Sequence, residues 1–168
     1  MKTENPNPEN PNGSIILTGA GPLVTLAGAG ALDTLLLPGV RVVIPDMVRF
    51  EVLHHFNESA AREIMDWVRK NEPEKVYVGT TETFDEFILL RKTIPKIQIQ
   101  LRSQESASEI FSRKLDGSVI LLLEDREAKR KKLLARLPDR VVVRSTTSFL
   151  ERLETKHLTD NAKEILEA

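Results

Sequence analysis

Five short runs of consecutive apolar residues recur along the chain, at Ile15 to Thr18, Val42 to Ile44, Val76 to Val78, Val119 to Leu123 and Val141 to Val143. They are rich in valine, isoleucine and leucine, too short for helices, and continuous where a half-exposed strand would alternate. Each therefore predicts a strand covered on both faces. Between these runs the apolar positions fall into the three-and-four spacing of amphipathic helices. Helices are expected over 22–36, 46–56, 58–70, 81–93, 104–115 and 125–136, with shorter ones near 147–154 and 159–167. Strand, helix, strand repeated in this way predicts an α/β fold, with a mostly parallel sheet of about five strands and helices on both faces.

The leader MKTENPNPENPNG has no apolar periodicity, and its prolines and asparagines build no face to bury. Residues 1–13 are expected to be a disordered arm before a single domain over 14–168. No charged residue occurs between Pro11 and Leu32, a stretch long enough to span a membrane, but Gly19, Gly21, Pro22, Gly28 and Gly30 fit a strand followed by a helix better. The leader also lacks the basic start of a signal peptide.

Composition narrows the function classes. At 168 residues the chain suits one domain that buries about 70% of its unfolded surface. With no cysteine, disulfide frameworks, cysteine-ligated zinc and thiol redox pairs are excluded, and the cytoplasm is the expected compartment. The 24 basic and 25 acidic side chains leave no global positive field, so any polyanion site has to be local.

In open parallel sheets ligands bind beyond the carboxyl ends of the strands, and two such ends carry chemistry here. The run Val119 to Leu123 leads into Glu124-Asp125-Arg126, where the carboxylates are either site acids or caps of the next helix. The run Ile15 to Thr18 leads into Gly19-Ala20-Gly21-Pro22, a tight turn whose bare backbone could cradle a phosphate. Val24 stands where the dinucleotide fingerprint needs its third glycine, and no GxxxxGK[ST] loop exists, so neither nucleotide motif is present.

Other acids read two ways. Asp46 is a plausible helix cap, and Glu51 lies on the side of Met47 and Val48, so it leans inward. Glu105 shares a polar seam with Ser108 and Ser112, while Ala107, Ile110, Phe111 and Leu115 form the core face. The basic run Arg126, Lys129, Arg130, Lys131, Lys132 and Arg136 can grip a phosphate backbone or be a solvated helix face. Glu51 with His54, and Glu154 with His157, have the spacing of di-iron bundle ligands. That architecture needs long helices, which this chain does not offer.

The succession SIILTGAGPLVTLA, VVIPDMVRFEVL, SQESASEI, VILLLEDREAKR and VVVRSTTSFLERLE resembles the PIN domains, the metal-dependent ribonuclease family of VapC-like toxins, over about residues 15–154. The resemblance implies a three-layer α/β/α sandwich. It also implies a Mg²⁺- or Mn²⁺-dependent endoribonuclease of a toxin-antitoxin pair, with RNA as substrate, an antitoxin protein as partner and a homodimer as the assembly. Carried across residue by residue, the family's acids fall on Glu51, Glu105 and Asp125, with Glu124 as a further ligand. Arg126, Lys129 and Arg130 fall where phosphates would be contacted. The family's first-strand Asp falls on Gly19, so one metal-holding acid is absent and activity is expected to be impaired. The alternative implied by that absence is an inactive PIN-fold binding or regulatory module.

Overall fold

The computed structural model describes residues 13–91, 99–113, 117–128 and 137–167. The five expected strands form, as β1 (Ile15–Thr18), β2 (Arg41–Pro45), β3 (Val76–Gly79), β4 (Val119–Leu123) and β5 (Val141–Ser145). All four pairings are parallel, and the strand order is β3-β2-β1-β4-β5. The chain thus winds from β1 outward through β2 to β3, then returns to place β4 on the other side of β1. That reversal lies between β1 and β4, where connections leave a crevice at the strands' carboxyl ends.

Alternation along the strands builds the two remaining layers of the α/β/α sandwich. Ile16, Val42, Ile44, Val76 and Leu122 share one core with α1 (Ala20–Gly28), α3 (Glu58–Asn71), α7 (Thr146–Thr155) and α8 (Ala162–Glu167). Ile15, Leu17, Val43, Leu121 and Leu123 point the other way, against Ala107, Ile110 and Phe111 of α5 (Ile99–Arg113). A third cluster joins Met47 of α2 (Asp46–His55), Phe87 of α4 (Glu82–Leu90) and Ile99 of α5. The central strands β1, β2 and β4 are largely buried on both faces and read as unbroken apolar runs, whereas the edge strands β3 and β5 are partly open, Val142 being 37% exposed, so the expected cover on both faces does not extend to them.

Three helices differ from expectation. The helix expected over 22–36 is α1 followed by a separate 3-10 turn at Leu32–Leu36, interrupted at Gly30, whose φ of +64° no regular helix accommodates. Helix α5 begins at Ile99, ahead of the expected residue 104, which adds Ser103 to its buried side. The helix expected over 125–136 is described only as α6 (Asp125–Ala128), and its remainder lies outside the described residues, as do Leu115 and all of the expected 1–13 arm but Gly13. The uncharged stretch is β1 and α1, and among the described residues no helix is long and apolar enough to cross a membrane.

Candidate active site

The crevice between β1 and β4 is floored by the turn into α1. The Gly19 amide donates to the Leu122 carbonyl at 2.9 Å, continuing the ladder one residue past β1. Gly19 has φ −82° and ψ 176°, which any residue adopts, and it is the N-cap of α1 without a side chain to accept from the helix. A β-carbon there would meet Leu123 Cδ2 at 3.4 Å and the Leu122 oxygen at 3.6 Å, both ordinary contacts. Neither backbone nor space demands glycine at 19. Gly21 is different, because a β-carbon would lie 2.1 Å from Glu124 Cγ and 2.3 Å from its Oε1. The Glu124 side chain lies against the first turn of α1, in space that only glycine leaves open.

Opposite this floor stand α2 and α5. Helix α2 buries Met47, Val48 and Val52, which brings Glu51 to the edge of its apolar face, half-buried. The Ser103 hydroxyl of α5 donates to Glu51 Oε1 at 2.7 Å. Burial holds the Glu51 carboxyl above the ordinary carboxylate range; the Ser103 bond opposes that rise, and the neighbouring charges of Glu127 and Glu124 add to it. Helix α5 is itself pinned by Asp46, which is buried and is the first helical residue of α2, the N-cap being Pro45. The Asp46 carboxylate accepts from the Thr81 amide and hydroxyl, each at 2.7 Å, from Ser106 Oγ at 3.2 Å and from its neighbour Met47 N at 2.9 Å. Asp46 does not act as the cap expected of it. Instead it ties three elements together beneath Glu51.

Between these walls is a cavity of about 300 Å³, lined by Glu51, Glu105, Glu124 and Glu127 together with Leu101, Phe111, Leu121 and Leu123. Four carboxylates from three separate stretches of chain meet at a partly apolar space, where charge interactions are stronger than in bulk water. Glu105 is exposed at the rim and paired with Arg102 at 2.9 Å. Asp125 opens α6 directly after Glu124, and its side chain is outside the described part of the structure. Arg126 is exposed on α6, while Lys129 and Arg130 lie outside the described residues.

All the acid donors are oxygens, suited to a hard cation such as Mg²⁺ or Mn²⁺. Among the described residues, however, no three His, Asp or Glu side chains gather closely enough to hold an ion. The histidines do not enter the site. The His54 ring stacks on Phe50 at 4.1 Å, and His157, with φ 58°, lies beyond the end of α7, so it does not share a helical face with Glu154.

Sequence reasoning missed Ser103, Asp46 as an anchor, and Glu127. The signal for Ser103 was available: it lies on the same face as Ser106, Ala107 and Ile110 once the helix is extended back to Ile99. Compared with known protein families and with curated proteins, the chain matches none.

Proposed function

We propose that this chain is a PIN-like, divalent-cation-dependent endoribonuclease with an incomplete acid set. The observation that carries the reading is the convergence of Glu51, Glu105, Glu124 and Glu127 on one cavity at the carboxyl ends of β1 and β4, where the strand order reverses. Mg²⁺ often needs only one or two carboxylates when water and substrate phosphates complete its coordination, so an incomplete set is compatible with binding alongside RNA. Glu51, Glu105, Asp125 and Glu124 are the residues that would hold the ion, which would lower the pKa of a bound water and offset charge on the scissile phosphate. Glu51, whose carboxyl burial holds above the ordinary range, is an acid suited to exchange a proton within the cavity. Arg126, exposed beside the cavity, would meet the RNA backbone, with Lys129 and Arg130 following it in sequence. The toxin lineage places the protein in the cytoplasm with an antitoxin partner. It also implies a homodimer, supported by exposed Ile88, Leu89 and Leu90 at the end of α4, Leu89 being 84% exposed.

A second reading, an inactive binding module, is favoured by Gly19, which contributes no carboxylate although its backbone would accept one. One experiment separates the two. RNA cleavage with Mn²⁺ is compared for wild type, Gly19→Asp, and Gly19→Asp with Asp125→Asn. If the lineage is nucleolytic, Gly19→Asp raises cleavage on the order of tenfold to a thousandfold and the double variant loses it. The new side chain would also cap α1, so folding is expected to be retained. A folded Gly19→Asp protein with no gain over an inactive wild type favours the binding module and overturns the nuclease reading.

A further inference from the structure

A second cavity, of about 310 Å³, lies on the opposite face of the sheet from the acidic one. Leu121 and Leu123 of β4 line the first cavity and Ile120 lines the second, so strand alternation separates them. Its floor is apolar, built from Ile120, Phe149 and Leu153, the last two buried in the core. Its rim carries Arg144 of β5 with Arg152 and Lys156 at the end of α7, and among the described residues no acidic side chain lines it.

Arg152 and Lys156 have a local reason to be cationic, since positive charge is favoured at a helix carboxyl end. Arg144 has no such reason. It is half-buried on β5, and among the described residues it makes no ion pair. Arg144, Arg152 and Lys156 share one rim, and an arriving anion would supply a partner to each. The volume is at the small end for ligand sites and suits a compact molecule, not a folded segment.

We propose that this cavity binds a small amphipathic anion, a carboxylate or phosphate on a short alkyl or aryl body. The apolar body lies on Phe149 and Leu153, and the anionic head meets Arg144, Arg152 and Lys156. The site is independent of the acidic cavity and of the nuclease reading.

Octanoate, octyl phosphate, octanol and octylammonium, titrated into the full-length protein and followed by backbone amide shifts, test the proposal. The two anions are expected to saturate and to shift residues 142–144 and 149–156, and whichever binds more tightly identifies the head group. Octanol is expected to bind at least tenfold more weakly and octylammonium not at all. Arg144→Gln is expected to weaken the anion about tenfold, and Arg152→Gln with Lys156→Gln up to about fivefold for each charge removed. Equal shifts from all four probes, no saturation, or unchanged affinity in folded variants would overturn it. So would salt-sensitive self-association that Arg144→Gln abolishes while no probe binds, because the face would then be an interface between copies.

Discussion

A β-carbon placed on Gly21 would lie 2.1 Å from Cγ of Glu124. The absence of a side chain at one position therefore creates the seat of a carboxylate that comes from far along the chain. Glu124 is one of the two like charges that push the Glu51 carboxyl upward. Gly21→Ala is expected to swing Glu124 away and lower the Glu51 pKa slightly, burial remaining the main cause of its rise. Carboxyl-detected NMR titration checks this, with Glu124→Gln as control. The two variants should move Glu51 in the same direction, and combining them should add little, because both remove the same charge from the same place.

Glu51 also links the site to stability. Its folded-state pKa is raised above the ordinary 4.5, so the folded protein holds the proton more tightly than the unfolded chain does. That contribution is complete below the unfolded pKa and is lost as pH rises through the folded one. Glu51→Gln removes the buried charge and keeps a group able to accept from Ser103. The variant is expected to melt above wild type at pH 8, with the difference vanishing below about pH 4. A wild type more stable than the variant at pH 8 would show that Glu51 is held as a favourable anion.

Asp46 is expected to be the most sensitive acid for folding. Asp46→Ala leaves the buried Thr81 amide without its acceptor and leaves the Thr81 and Ser106 hydroxyls only each other, a loss of about 2 to 4 kcal/mol. The same change removes one of the ties between α5 and α2, so the amide signals of Ser103 and Glu51, which form another, should shift together. Chemical denaturation gives the stability, and an intact slope would indicate that the native fold is retained.

Glu109 of α5 adds to the cap that Thr81 already provides for α4. Its carboxylate accepts from the Glu82 amide at 2.8 Å and the Thr83 amide at 3.0 Å, and it pairs with Arg113. Partial burial pulls its pKa upward, but the bonds from Glu82, Thr83 and Arg113 prevail and set it below the ordinary 4.5. Stability from this group is present above the unfolded pKa and lost as pH falls through the folded one. Glu109→Ala is expected to lower stability by roughly 1 kcal/mol at pH 7 and to match wild type in strong acid. Hydrogen exchange should show the loss first at Glu82 and Thr83.

The sequence by itself determined the strands, the alternation that makes the class α/β, and the rule that chemistry sits at the strands' carboxyl ends. These are local quantities: a run such as Val119 to Leu123 records burial on both faces within five residues. Only the tertiary structure decided which acids meet. Glu51, Glu105, Glu124 and Glu127 come to line one cavity because β4 returns beside β1, a long-range pairing that no window of sequence contains. The same holds for Ser103, whose bond to Glu51 spans 52 positions, and for Asp46, whose apparent cap is a buried junction. It holds most simply for Gly19 and Gly21. They look alike in the sequence, yet one has an ordinary backbone with room for a side chain, while the space at the other is filled by Glu124. A residue's own conformation and its near neighbours in the chain are written locally, whereas occupied space is a property of the whole fold.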